Sequence, residues 1–205
     1  MTTWYILRHA EKEAGDFPNP DLPLPDEPIT ARGQRQAEAL VPFFAGRPIA
    51  TVYVSAYRRT LQTAAPAARA LGLTPQVDER LNEIDNSGVA RLSDAQIREK
   101  YPGIWKAYTE RISDFRWPGG ETGGEARDRV TDFLAAARLR HGEADGLAVC
   151  HEGLIRLLAC ALLGLPVTRR WNFEVNYCGL MEIRWQPEHN DWRIVRFNQD
   201  LTDHG

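Results

Sequence analysis

The chain has 205 residues, 43% of them hydrophobic, and a formal net charge of −3. That length supplies one good core, so one domain over residues 1–205 is expected, carrying an insertion. The lack of a basic excess argues against nucleic acid as a partner, and no apolar run reaches the length of a membrane span.

"TWYILRH" near the N-terminus reads as a buried strand ending in Arg8 and His9. "FPNPDLPLPDEP" holds five prolines and is expected as a loop. From Thr30, a plausible N-cap, Ala37, Leu40, Val41 and Phe44 recur at helical spacing and predict one helix. "IATVYVSA" predicts a second strand, and Leu61, Ala64, Ala65 and Ala68 a second helix stopping near Gly72. "PQVDERL" suggests a short third strand.

Residues from about 84 to 120 are aromatic and charged, with a capping box at Ser93 and Gln96. They read as short helices inserted between core elements, a small helical lid, ended by the breaker "PGGETGG". Val130, Phe133, Leu134 and Ala137 mark a further helix, "GLAVCH" a strand, and "LIRLLACALLG" the helix after it. "YCGLMEIRW" and "WRIVRF" predict two strands joined by the turn "QPEHND". The alternation gives an α/β class: a three-layer α/β/α sandwich with a mostly parallel central sheet.

In such sheets ligands gather at the carboxyl ends of the strands. Arg8 and His9 end the first strand, Ser55 the second with Arg58 and Arg59 beyond it, and His151 ends "GLAVCH". Two histidines and at least two arginines therefore meet at one edge and form an anion site. Guanidinium groups match phosphate oxygens, and the helix that begins near Gly153 adds backbone donors. A neutral imidazole held there can attack phosphorus once the phosphoryl charge is neutralised. Arg58 and Arg59 are equal candidates on these grounds. Cys150, one place before His151 on a strand, should face away from the site. With Cys160 and Cys178 it makes an odd, widely spaced set, expected as buried thiols in a reducing compartment. The N-terminus carries no secretory pattern, so a cytoplasmic location is expected.

These residues resemble the histidine phosphatase superfamily, also called phosphoglycerate mutase-like. "LRHAEKE" is similar to its Arg-His-Gly-Glu signature. "ITARGQRQA", "VSAYRRTLQTA", "LNEIDNSG", "PGGET" and "VCHEGLIRLL" resemble five further family segments in the same order. The resemblance selects Arg59 over Arg58. It implies His9 as nucleophile, Glu83 as proton donor, and Arg8, Arg59 and His151 as phosphate ligands, with His151 also catalytic. Asp85, two residues on, is the rival donor. The resemblance implies no metal and no cofactor.

Two positions depart from the family. Ala10 stands for the usual glycine, and Gly15 for an asparagine that serves many relatives as a further phosphate ligand; Asp16 and Asn19 lie nearby. The expected activity is that of a metal-independent phosphomonoesterase of the histidine acid phosphatase type. It would hydrolyse a small phosphorylated metabolite through phosphohistidine. A phosphoglycerate mutase and a phosphohistidine-protein phosphatase are the alternatives within the family. Outside it stand a non-catalytic phosphate-binding module and a metal-dependent hydrolase using His9, Glu11, Glu13, His151 and Glu152. The segment after Glu83 does not resemble that of the glycolytic mutases, and spacing of the latter ligand set matches no common zinc pattern.

Overall fold

The computed structural model describes residues 2–202. Its elements in chain order are β1 (Thr3–Arg8), α1 (Ala31–Ala39), α2 (Val41–Ala45), β2 (Ile49–Val54), α3 (Arg58–Leu71), β3 (Gln76–Val77), α4 (Asp94–Lys100), α5 (Pro102–Glu110), α6 (Gly123–His141), β4 (Asp145–Cys150), α7 (Glu152–Leu162), β5 (Leu180–Gln186) and β6 (Asp191–Gln199). The sheet order is β3-β2-β4-β1-β5-β6. The first four of these strands run parallel, while β5 and β6 form an antiparallel hairpin on one side.

Strand alternation divides the core in two. Trp4, Ile6, Ala148, Cys150, Met181 and Ile183 pack with α6 and α7. Tyr5, Leu7, Val52, Val54, Leu147 and Val149 pack with α1, α2 and α3 on the other face. This is the expected α/β/α sandwich. The central strands are buried on both faces, as parallel strands between helical layers must be.

Several local expectations hold for visible physical reasons. Thr30 caps α1 by accepting from the Gly33 amide, and Gly72 ends α3 at φ 69°. Ser93 and Gln96 form the capping box of α4. Three boundaries differ. The helix expected from Thr30 breaks at Leu40, because Pro42 lacks an N–H and its ring displaces the preceding turn. The third strand is only two residues, and Asp78 then caps a 3-10 turn, Glu79–Leu81. "PGGETGG" is less of a break than expected. Thr122 caps α6 through a capping box with Glu125, so Gly123 and Gly124 are already helical.

Segment 84–120 has its own small core. Val89, Ile97 and Trp117 are buried together, with Tyr101, Trp105, Tyr108 and Phe115 packed around them. Its ends are tied together where the Glu121 amide donates to the Asp85 carbonyl. A Cβ on Gly120 would lie 2.0 Å from that carbonyl, so only glycine permits the approach.

Candidate active site

Strand register brings the site together. Leu7 pairs with Val149, and Val149 with Val54, so Arg8 and Cys150 end their strands level with Ser55, the residue just after β2. The residues that follow β1 and β4 are His9 and His151. The His9 amide donates to the Cys150 carbonyl at 3.0 Å. Both histidines are buried, with ring centroids 5.2 Å apart.

His9 Nδ1 lies 2.8 Å from the Ala10 carbonyl oxygen. A carbonyl only accepts, so Nδ1 carries the proton and the lone pair of neutral His9 is on Nε2. Burial pushes its pKa well below the ordinary value. The charges of Arg59, Arg8 and Lys12 act in the same direction, opposed by the Ala10 hydrogen bond. Burial and the same arginines likewise depress His151. Both rings are therefore neutral near pH 7. The Cβ of Ala10 is accommodated in the core face under α1 to α3, and its amide donates to Thr63 Oγ1 at 2.9 Å.

The arginines are held by acids. Arg8 Nη1 donates to the Val175 carbonyl at 2.6 Å, and Nη2 pairs with Glu152 at 2.9 Å. Its guanidinium lies 4.2 Å above the Tyr177 ring. Arg59 Nη1 pairs with Glu27 at 3.0 Å and also donates to the Pro25 carbonyl. Its Nη2 lies 3.4 Å from His151 Nδ1. Nε of each arginine is buried with no hydrogen-bond partner among the described residues. Buried donors of that kind call for an acceptor. Arg58 turns the other way, half-exposed, with its amide and Nε on the Asp26 carboxylate. Of the two candidates, Arg59 is the one at the histidines.

Glu83 follows the turn after β3 and reaches the start of α7. Its Oε2 accepts from the Gly153 amide at 3.2 Å. A Cβ on Gly153 would come within 2.7 Å of Glu83 Oε1, so the carboxylate fits because residue 153 lacks a side chain. Arg129 braces this segment by donating to the Arg80 and Glu83 carbonyls and pairing with Glu121. Asp85 instead uses its carboxylate on the Ser87 amide at 2.8 Å.

Neither neighbour of Gly15 replaces the family's asparagine. Asp16 pairs with Arg91 in segment 84–120, and Asn19 donates to Asp26. The ligands offered for a metal are also dispersed. Glu11 holds Thr30 and Arg32, and Glu152 is shared by Arg8 and Arg156. Beside the site the proline-rich loop and residues 87–92 enclose a groove of about 460 Å³, lined by Pro18, Pro20, Leu22, Leu24, Arg91 and Leu92 among others. Its lining includes neither histidine.

Cys150 lies in the α6–α7 core with its thiol pKa raised by burial, and the Cys178 thiol is pushed up to about 12. Sequence reasoning missed Tyr177, which it placed inside a strand. The strand starts only at Leu180, after Cys178 turns the chain at φ 55°, and the Tyr177 ring lies 5.7 Å from that of His9. Glu27 and Arg129 were also missed; the Glu27–Arg59 pair and the Arg129 bonds to the Arg80 and Glu83 carbonyls span more than thirty residues of sequence, where no local pattern signals them.

The chain belongs to the histidine phosphatase superfamily, branch 1, whose family model matches residues 4–200. It is similar to phosphoserine phosphatase 1 of Hydrogenobacter thermophilus, with 28% identity over 93% of this chain and 90% of that protein. It is 28% identical to the protein named "Probable phosphoglycerate mutase GpmB" of Salmonella choleraesuis, over 91% of this chain and 86% of that one. The structure of a mycobacterial glucosyl-3-phosphoglycerate phosphatase superposes with a TM-score of 0.79 at 24% identity, covering 98% and 99% of the two chains, which shows the shared fold. The chain is thus an enzyme of phosphatase or mutase type.

Proposed function

We propose that this enzyme is a metal-independent phosphomonoesterase that hydrolyses a small phosphorylated metabolite through a phosphohistidine at His9. The observation that carries this reading is the tautomer of His9. With Nδ1–H tied to Ala10, Nε2 is left as a lone pair on a ring that feels the charges of Arg59 and Arg8, each of which has an unpartnered Nε.

In the first step Nε2 attacks phosphorus and the P–O ester bond breaks, while Glu83 gives its proton to the leaving oxygen. Arg8, Arg59 and His151 hold the equatorial oxygens, where charge gathers in the transition state. In the second step Glu83 takes a proton from water, water attacks phosphorus, and the N–P bond breaks. Phosphate leaves and His9 is restored. The charge that a metal supplies in other phosphatases comes here from the arginines. Residues 84–120 act as the lid, and the groove they form with the proline-rich loop receives the leaving group. A mutase would share the first step, and similarity to the Salmonella protein favours that as a second reading.

Rapid quench with phosphorus-labelled substrate should trap an acid-labile, base-stable phosphoenzyme, absent from His9→Ala. EDTA should leave the rate unchanged, and label should end in inorganic phosphate. Label on serine or cysteine, or loss of activity on chelation, overturns the proposal. Label returned to a second metabolite establishes the mutase.

A further inference from the structure

Ser55 and Thr60 are buried behind His151, and their hydroxyl protons can be followed one by one. Thr60 Oγ1 lies 2.8 Å from the Tyr57 carbonyl oxygen and 3.1 Å from that of Ser55. Carbonyls only accept, so the single Thr60 proton is directed at them. At its 2.9 Å contact with Ser55 Oγ, Thr60 must therefore accept, and Ser55 donates. Ser55 then has only lone pairs left. One accepts from the Tyr57 amide at 3.3 Å, and the other faces His151 Nε2 at 2.8 Å. His151 Nε2 must carry a proton. On the neutral ring the lone pair is then on Nδ1, where Arg59 Nη2 donates to it.

That assignment has a consequence for anion binding. An anion oxygen brought up to His151 Nδ1 would meet a lone pair. The other neutral tautomer would relieve this, but it sets an Nε2 lone pair against a Ser55 oxygen that has no proton to give. An unmet pair of that kind in a buried site is strongly disfavoured. The ring has to gain a proton instead.

We propose that Ser55 and Thr60 are positioning residues that hold His151 as its Nε2–H tautomer, so that a tetrahedral dianion enters this site together with one proton taken from solvent. The proton lies between His151 Nδ1 and an anion oxygen. The inference rests on the reading of Arg8, Arg59 and His151 as the anion's ligands. Charged and titratable groups face His151 from every neighbouring element: Arg8 and His9 at the end of β1, Tyr57 and Arg59 at the start of α3, Arg129 on α6, and Glu83 through Gly153. The arginines stay protonated at all relevant pH values and are not the source.

Tungstate is a suitable probe, being a tetrahedral dianion that carries no proton near neutral pH. Its binding is measured by calorimetry at about pH 7.5 in buffers of different ionisation enthalpy. The full chain carries His9→Asn, which removes the nucleophilic nitrogen and keeps a donor for Ala10. About one proton should be taken up per tungstate. Adding Thr60→Val, which is nearly isosteric, frees the Ser55 proton to rotate towards Nε2. The Nδ1–H tautomer becomes available, and uptake should fall by about one. Thr60→Ser keeps the hydroxyl and should restore it. No uptake in the first chain, or equal uptake with and without Thr60→Val, overturns the tautomer lock and leaves the phosphatase reading standing. Failure of tungstate to bind overturns both.

Discussion

Replacing Arg59 and Arg58 separately by alanine tests the site where sequence order alone was ambiguous. The side chains are adjacent but unlike: Arg59 is 5% exposed and Arg58 49%. Arg59→Ala removes a donor proposed to hold an equatorial oxygen. Loss of one such preorganised donor costs about a hundredfold to a thousandfold in rate, or about 3–4 kcal/mol. It also strips one partner from the buried Glu27 carboxylate, a change worth about 3–5 kcal/mol of stability. Lys12 stays on Glu27, which puts the expected loss near the lower end, about 3 kcal/mol. Arg58→Ala breaks an exposed pair worth about 0.2–1 kcal/mol, and its backbone amide still holds Asp26. Single-turnover phosphoenzyme formation measures the first effect and urea denaturation the second. Arg59→Lys, which retains the pairing with Glu27, should recover stability more than rate. Rate losses for the two alanine variants within threefold of each other refute the placement of Arg59 in the site.

Glu83→Gln should slow phosphoenzyme formation severely for alkyl phosphates and mildly for p-nitrophenyl phosphate, whose phenolate departs without a proton; the same dependence in Asp85→Asn assigns the role to Asp85 instead. Gly153→Ala should leave the urea midpoint almost unchanged, since only side-chain ends obstruct the new methyl. It should nonetheless reproduce the Glu83→Gln pattern of rates. Burial lowers the folded pKa of both His9 and His151 below the ordinary 6.5. The unfolded chain therefore binds more protons below that pH, so this contribution to stability is complete above pH 6.5 and declines on acidification by up to about 1.4 kcal/mol per pH unit for each ring. Urea titrations at pH 7.5 and 5.5 should show the decline, and His151→Gln should make it shallower. Iodoacetamide at neutral pH should not affect phosphoenzyme formation, because all three thiols are buried; inactivation that follows alkylation of Cys150 contradicts its place in the core.

The sequence showed most where one interaction decides the outcome. Strand ends at Arg8, Ser55 and Cys150 follow from apolar runs, and parallel register converts those ends into one edge. Caps at Thr30, Ser93 and Gly72 depend on neighbours three or four residues away. Pro42 was visible too, and its effect on the helix from Thr30 could have been read from its missing N–H. Other features were not legible because they depend on the assembled fold. Successive residues in a helix point about 100° apart, so only the direction from which α3 meets the sheet separates Arg59 from Arg58. Tyr177 could not be taken out of its apolar run until the turn at Cys178 was seen. The aromatic residues of 84–120 could have faced a ligand; they pack chiefly on one another.

The acids around the site explain how it can hold strong positive charge without tearing itself apart. Each of the two site arginines shares a carboxylate with a second cation: Arg8 and Arg156 meet on Glu152, and Arg59 and Lys12 on Glu27. Two cations about one anion leave each group with a single net positive charge. Both histidines are neutral before substrate arrives, so on the proposed reading these two groups offer a charge of two to a phosphomonoester dianion. Had the acids been absent, Arg59 would have stood buried and unpaired, at a cost of several kcal/mol, and the partly buried Arg8 would have lost its counter-charge. Had each acid been matched by one cation alone, no net charge would have remained. The second cations are thus what keep the pocket attractive. Arg156 Nε is itself buried without a partner among the described residues, so its guanidinium is held mainly through Glu152 and the distant Trp171 ring. Arg156→Met retains much of the apolar stem while removing that charge. Glu152 is then left to Arg8 alone, and the affinity for tungstate should fall although no group proposed to touch the anion has changed.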